Sequence, residues 1–149
     1  ITGGVGTDTI IILAGDSDFG TISSPAVAVS VLADIITLSA GDILDLTGAL
    51  ATEADYDTFT EVAAGGTITT TLTTNEVGQF VGVYDPATGN FTSSSTVASG
   101  TGSSTDVDAL FYTYAVADDT DTTATEGLII IGLGAQADSA ILNGVITFA

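Results

Sequence analysis

Apolar and polar residues alternate in short runs along most of this chain, and a period of two residues is typical of half-buried β-strands. Gly, Ser, Thr, Asp and Pro cluster between the runs, roughly every 8 to 12 residues, as turns do. The pattern predicts strands at 26–32, 34–38, 42–46, 67–74, 79–84, 90–92, 109–116, 127–133, 141–142 and 145–148. Many short strands with frequent turns favour a β-sandwich or a β-roll.

Three turns between these strands have a clear residue signature. Residues 39–41, Ser-Ala-Gly, separate 34–38 from 42–46. Residues 85–90 are Asp-Pro-Ala-Thr-Gly-Asn, where Pro presets φ and Gly suits a positive-φ position, so we predict a tight hairpin turn. Asn143-Gly144 is the dipeptide of type I′ hairpin turns. The run 127–133 is apolar throughout, which predicts a strand buried on both faces.

One helix is predicted, at residues 50–64. Thr52 would be its N-cap, with acidic residues in the first turn near the positive end of the helix dipole and a Gly pair after its end. Thr58 and Thr60 are β-branched and lower the helix propensity of the segment. The predicted fold is mainly β, a β-sandwich or β-roll domain with at most one short helix.

Residues 3–11 have the sequence Gly-Gly-Val-Gly-Thr-Asp-Thr-Ile-Ile. They fit the nonapeptide G-G-x-G-x-D-x-U-x at every specified position, U being a large aliphatic residue. Glycine adopts left-handed backbone conformations that a Cβ would block. The turn carbonyls and the Asp8 carboxylate then supply hard oxygen ligands of the kind that Ca²⁺ binds. We predict a calcium site at this turn, formed by Gly3, Gly4, Gly6 and Asp8.

One such turn supplies only half of a calcium site, because successive turns stack and share the ion. Residues 12–19 resemble a degenerate closing turn, so Asp16 and Asp18 are candidate partners; an ordinary Asp-rich β-turn explains them equally well. We expect residues 1–20 to be the terminal turns of a calcium-binding β-roll, and residues 21–149 to form a β-rich domain continuous with them. An acidic loop predicts a further cation site at Asp118, Asp119 and Asp121.

The charge balance strengthens the expectation of bound cations. The 149 residues include 19 Asp and Glu but no Lys, Arg or His, which gives a formal charge of −19. No side-chain salt bridge can form, and self-repulsion opposes the compact state, so positive charge must come from solution. Nucleic acid is an implausible partner because phosphate binding needs a basic surface. No apolar run approaches the roughly 18 to 20 residues of a membrane span.

The same composition argues against an enzyme. Without His, Cys, Lys or Arg, the usual nucleophilic and acid–base constellations cannot be built. Paired carboxylates at Asp118/Asp119 or Asp55/Asp57 could be interpreted as a glycosidase pair, but solvated loop acids or cation ligands explain them better. The Thr-rich run 67–74 could bind ice, although a solvated strand face is the stronger interpretation.

The chain resembles the C-terminal region of RTX-type proteins exported by type I secretion, and within that group the calcium-dependent bacterial surface-layer proteins. The resemblance rests on the nonapeptide at 3–11 and on the patterns at 34–48, 108–119 with 127–132, and 144–149. Only one clean nonapeptide is present, where the family stacks several. The resemblance implies an extracellular protein without a cleaved N-terminal signal, whose C-terminal residues are read by the export machinery and whose folding waits for external calcium.

Two functions follow as expectations. The first is an extracellular structural protein, a calcium-stabilised subunit or domain of a surface layer, sheath or filament that assembles with other copies of itself. The alternative is a C-terminal secretion and calcium-binding module of a larger secreted enzyme or adhesin. The chain starts at Ile1 inside a calcium-repeat pattern, so we expect a fragment or the C-terminal part of a longer polypeptide.

Overall fold

The computed structural model describes residues 1–17, 28–30, 33–50, 56–62, 67–68, 71–72, 76–93, 107–114 and 124–149. The described ranges form two mixed β-sheets, and their helical content is a 3₁₀ turn at Asp138–Ala140. The mainly β prediction is therefore confirmed. The strands are β1 (Thr9–Leu13), β2 (Ala28–Ser30), β3 (Asp34–Thr37), β4 (Ile43–Gly48), β5 (Thr58–Val62), β6 (Glu76–Asp85), β7 (Asn90–Ser93), β8 (Val107–Tyr114), β9 (Glu126–Ile131), β10 (Ile141–Leu142) and β11 (Val145–Thr147).

The smaller sheet has four strands in the order β1-β4-β11-β10, so early and late segments of the chain meet in it. β1 runs parallel to β4, and β11 runs antiparallel to both β4 and β10. The β10–β11 hairpin turns at Asn143 and Gly144, whose φ angles are 50° and 77°. A type I′ turn requires positive φ at both central residues, so the predicted Asn-Gly hairpin is confirmed.

The larger sheet has seven strands, in the order β2-β7-β6-β8-β9-β3, with β5 also paired to β6. β5 and β7 pair with opposite ends of one edge of β6, and β8 covers its other edge. The Asp85 carboxylate accepts hydrogen bonds from Ala87 N at 2.9 Å and Thr88 Oγ1 at 2.7 Å, which closes the β6–β7 turn. The predicted tight turn at 85–90 is confirmed.

The main core lies between the two sheets. Leu44 and Leu46 of β4 point into it, while Ile43 and Asp45 on the opposite face are only partly buried, which is the alternation expected from their sequence. A second apolar cluster covers the other face of the larger sheet, and β9 contributes to both clusters. The prediction of a strand buried on both faces is therefore confirmed for β9, whose members in the two clusters are Leu128, Ile129, Ile130 and Ile131.

The predicted helix at 50–64 is wrong. Residues 58–62 form β5, which pairs in parallel with β6, Phe59 opposite Val77. The Phe59 ring stacks on Tyr112 with centroids 5.6 Å apart, and this contact across the core outweighs a helix propensity that Thr58 already lowers. Residues 51–55 and 63–64 of the predicted helix lie outside the described residues.

Other predicted strands have mixed outcomes. Residues 28–30 of the predicted strand 26–32 form β2, and the rest lies outside the described residues. In the Thr-rich run, Ile68 and Leu72 are buried in the second cluster, and the four residues described there, 67–68 and 71–72, belong to none of the eleven strands. The turn at 39–41 is present, but it carries the chain from β3 in the larger sheet to β4 in the smaller one.

Two buried tyrosines lead to a prediction on pH. Burial raises the pKa of Tyr112 and Tyr114 above the ordinary value, and the negative charge of Glu126 raises that of Tyr114 further. Above about pH 10 the unfolded chain loses these protons while the folded protein keeps them, so the free energy of unfolding should fall as pH rises. The expected slope is about 1.4 kcal/mol per pH unit for each tyrosine.

Denaturant unfolding at several alkaline pH values measures this slope, and absorbance of the phenolate reports ionisation directly. Tyr112→Phe should remove about half of the slope, because one of the two shifted groups is gone. Full phenolate absorbance from every tyrosine near pH 10, in a protein that keeps its native circular dichroism, would contradict the prediction.

Candidate metal centre

The opening glycine turn is anchored to the larger sheet. The Ile1 amine donates to Ile35 O at 2.9 Å, Thr37 N donates to Ile1 O at 2.9 Å, and Gly3 N donates to Thr37 O at 3.1 Å. Residues 1–3 therefore run beside β3 before the chain turns into β1. Gly4 and Gly6 have φ angles of 115° and 113°, so the expectation that these glycines take left-handed conformations is confirmed.

Asp42 links this turn to β4. Its side chain is fully buried and accepts hydrogen bonds from Asp8 N at 2.9 Å through Oδ1 and from Ser39 N at 2.8 Å through Oδ2. Ile43 N donates in return to Asp8 O at 2.8 Å. The two aspartates are thus joined by backbone and side-chain bonds, although 34 residues separate them in the sequence.

Two carboxylate oxygens converge beside Gly3. The position that a Cβ would occupy on Gly3 lies 3.0 Å from Asp42 Oδ2 and 3.2 Å from Asp8 Oδ2. Asp8 Oδ2 is buried and has no hydrogen-bond partner among the described residues. A buried carboxylate oxygen without a donor is costly, and a second carboxylate nearby adds repulsion. These two oxygens fit a hard cation, which would relieve both penalties.

Asp8 and Asp42 occupy equivalent positions in adjacent strands. Thr9 of β1 and Ile43 of β4 are register partners in a parallel pair, and each aspartate directly precedes one of them. A positive-φ glycine precedes each aspartate, Gly6 by two residues with φ at 113° and Gly41 by one residue with φ at 94°. The segment at 39–43 therefore lies beside the Asp8 turn in the place where a stacked turn was expected. Its sequence signal, Gly-Asp before an alternating strand, is present but lacks the full nonapeptide.

The other predicted ligands lie elsewhere or outside the described residues. Asp16 Oδ2 accepts a hydrogen bond from Leu13 N at 2.9 Å, within its own turn. No three acidic side chains of the described residues group closely enough to hold a metal ion, so Asp16 does not join Asp8 and Asp42 in such a group. Asp18 lies outside the described residues. So does the acidic loop that contains Asp118, Asp119 and Asp121.

The turn that contains Asp16 packs on the start of β9 instead. Gly15 N donates to the Glu126 carboxylate, Ser17 Oγ donates to Gly127 O at 2.6 Å, and Gly127 N donates to Ser17 O at 3.1 Å. Asp34 N donates to Ser17 Oγ at 2.9 Å, which adds β3 to the same junction. These bonds satisfy backbone groups where the two sheets meet, which is a structural role for this turn.

Comparison of the chain with family models, with curated proteins and with solved structures finds no match. Within the described ranges, no helix has the length and apolar character to cross a membrane.

Proposed function

We propose that this chain is an extracellular structural protein, a calcium-stabilised subunit or domain of a surface layer, sheath or filament. The observation that carries the proposal is the convergence of Asp8 Oδ2 and Asp42 Oδ2 beside Gly3, in a sequence with no basic side chain to pair with either. Two carboxylates supply part of a calcium shell of six to eight oxygens, and backbone carbonyls of the glycine turn and water would supply the rest.

A cation at this position would act as a structural clamp. Asp8 leads into β1 and Asp42 leads into β4, so an ion shared by both would hold the two parallel strands in register. The backbone of Asp42 also binds the segment that follows β11, because Phe148 N donates to Asp42 O at 3.0 Å. The neighbouring Gly41 N donates to Phe148 O at 2.8 Å. Binding at Asp8 and Asp42 would therefore stabilise three segments of the smaller sheet together.

The charge of the whole chain supports an extracellular, calcium-rich setting. With 19 acidic residues and no basic ones, the folded chain concentrates negative charge that only solution cations can offset. Absence of His, Cys, Lys and Arg from the sequence favours a structural role over catalysis. The resemblance to type I secreted surface-layer proteins points the same way, with export before folding and self-assembly outside the cell.

Calorimetric unfolding in calcium and in EDTA tests the proposal, together with electron microscopy of the native assembly. We expect calcium at 100 times its dissociation constant to raise the free energy of unfolding by about 2.7 kcal/mol. We also expect chelation to disperse the assembly, and Asp8→Ala to remove the response to calcium. Equal melting temperatures with and without calcium, with assemblies intact in EDTA, would refute it.

Gly3→Ala gives a finer test of the ion position. Its Cβ would lie about 3 Å from both carboxylate oxygens and fill the space where they converge. We expect calcium affinity measured by titration calorimetry to fall at least tenfold, since an apolar carbon displaces an oxygen-lined site. Gly134→Ala is the matched control, because nothing lies within 4 Å of the Cβ position there. Unchanged affinity in Gly3→Ala would place the ion elsewhere.

A further inference from the structure

The outer face of the smaller sheet carries exposed apolar side chains among threonines. Strand alternation and the strand registers place on this face, opposite the side that packs on the larger sheet, Thr9, Ile11, Leu13, Ile43, Asp45, Thr47, Leu142, Val145 and Thr147. Ile11, Leu13 and Leu142 are 60%, 53% and 64% exposed, which makes them three of the five large apolar side chains most exposed in the described chain. We call this set the outer face.

The strand registers align part of the outer face in one row across the sheet. Ile11 pairs with Asp45, Asp45 pairs with Val145, and Val145 pairs with Leu142. An open groove of about 870 Å³ lies on the same face, and residues of β4, β11 and β10 line it, among them Thr47, Val145 and Leu142. Exposed large apolar side chains that are grouped on one face, beside a groove, are typical of a surface that a partner covers.

Charge selects the kind of partner. Asp45 is the single acidic residue in β1, β4, β10 and β11. Its Oδ1 accepts hydrogen bonds from Thr47 N at 2.9 Å and Thr47 Oγ1 at 2.7 Å, which hold it within its own strand. Two copies of a chain with a charge of −19 repel each other, and they can approach most closely through a surface that carries few of those charges.

We propose that the outer face binds the outer face of a second copy of this chain, as one of the contacts from which the assembly is built. This inference rests on the proposed function, which includes self-assembly, and it identifies the surface through which the copies bind each other. The two sheets pack face to face about 10 Å apart, related by a two-fold axis parallel to the strands. β1 of one copy then lies over β10 of the other, so Ile11 meets Leu142.

The orientation follows from Asp45. With the axis parallel to the strands, Asp45 of one copy faces Val145 of the other across the interface. An axis perpendicular to the strands would instead place the two Asp45 carboxylates against each other, which costs energy in a water-poor contact. The contact is small: the four strands, about 4.8 Å apart and on average about four residues long, cover roughly 250 Å² in plan. Such an area supports a weak pair rather than a permanent dimer.

The salt dependence of association distinguishes this contact from one made by ion pairs. The attraction is apolar and the repulsion between copies is electrostatic, so added salt screens only the unfavourable part. The Debye length falls from about 8 Å at 0.15 M salt to about 3 Å at 1 M. Association should therefore strengthen as the concentration of sodium chloride is raised. The same dependence is expected in EDTA for the molecules that stay folded.

Sedimentation velocity of the full chain in calcium measures the association. We expect Ile11→Thr with Leu142→Thr to weaken it at least tenfold, since two exposed apolar side chains leave the contact. Threonine keeps the β propensity of both strands. Ile1→Thr is the matched control, because Ile1 is 66% exposed and lies outside the outer face. Association of the double variant equal to the wild type, with an unchanged melting temperature, would overturn the proposal.

Cysteine cross-linking tests the orientation, and the chain has no cysteine of its own to interfere. Ile11 and Leu142 of one copy are three strands apart, about 14 Å, which is too far for a disulfide within a chain. Facing sheets about 10 Å apart are also beyond a direct disulfide, so a bifunctional thiol reagent that adds roughly 4 Å between the sulfurs is used. Ile11→Cys with Leu142→Cys should then yield covalently linked dimers, and Ile11→Cys alone should yield few. Efficient dimers from the single variant would indicate the perpendicular axis and overturn the proposed pairing.

The outcomes separate this inference from the proposed function. A wild-type chain that is stabilised by calcium yet monomeric at millimolar concentration would overturn the contact and leave the calcium clamp standing. Assemblies that persist in the Ile11→Thr with Leu142→Thr variant would overturn the contact and leave self-assembly standing. Loss of association in that variant, with its calcium response intact, supports the contact.

Discussion

Asp42→Ala is expected to lower the free energy of unfolding by about 3 kcal/mol in calcium and to abolish the stabilisation that calcium provides. The buried carboxylate accepts hydrogen bonds from Asp8 N and Ser39 N, and both donors would be left without a partner. The variant would also lose one of the two carboxylate oxygens that converge beside Gly3. Urea unfolding in calcium and in EDTA measures both effects.

The cost should be smaller in EDTA than in calcium. Without the cation, removing Asp42 also relieves its repulsion with Asp8, which offsets part of the lost hydrogen bonding. Asp45→Ala is the control, since Asp45 lies in the same part of the chain and its carboxylate accepts hydrogen bonds from Thr47, within its own strand. An equal loss of stability in calcium and in EDTA would show that Asp42 acts through its hydrogen bonds alone.

Gln79→Leu is expected to cost about 3 to 4 kcal/mol although it keeps the volume of the side chain. Gln79 Oε1 accepts from Tyr112 Oη at 3.0 Å and Gln136 N at 2.8 Å, and its Nε2 donates to Gln136 O at 2.8 Å. Leucine would leave three buried polar groups without partners. The bonds fasten the segment before the 3₁₀ turn to the middle of the larger sheet, so that segment should also exchange its amides faster.

A second substitution separates the cost of unpaired polar groups from the cost of altered packing in Gln79→Leu. Tyr112→Phe in the Gln79→Leu background removes one of the stranded groups, so we expect it to cost less than Tyr112→Phe alone. A double-mutant cycle read by urea unfolding gives the coupling directly. Additive effects of the two substitutions would show that the Tyr112–Gln79 bond contributes nothing to stability, contrary to the prediction.

Much of the fold could be predicted because its signals are local. The alternation in β4 fixes which residues face the core, and Asn143-Gly144 specifies its hairpin through backbone conformation alone. Residues 128–131 of β9 are all apolar because apolar clusters cover both faces of the strand. In each case the decisive physics acts within a few residues, so the pattern in the sequence reports it.

The failures concern interactions between distant segments. β5 is a strand because Phe59 packs on Tyr112 and its backbone pairs with β6, and neither contact shows in the composition of 50–64. The proximity of Asp42 to Asp8 was not predicted either; Asp16, the described one of the two partners that the sequence suggested, bonds within its own turn. Parallel pairing of β1 with β4 creates that neighbourhood, and residue spacing does not reveal which parallel strands will pair.

The position of β4 between β1 and β11 has a consequence for the time course of folding. Thr147 pairs with Ile43, so one side of β4 stays bare until a segment about a hundred residues later arrives. Closing so long a loop is slow, and a ribosome delivers that segment after the other strands of both sheets. Until β11 has been synthesised, a nascent chain cannot complete the smaller sheet or close the core between the two sheets. We expect such a chain to lack fixed tertiary packing.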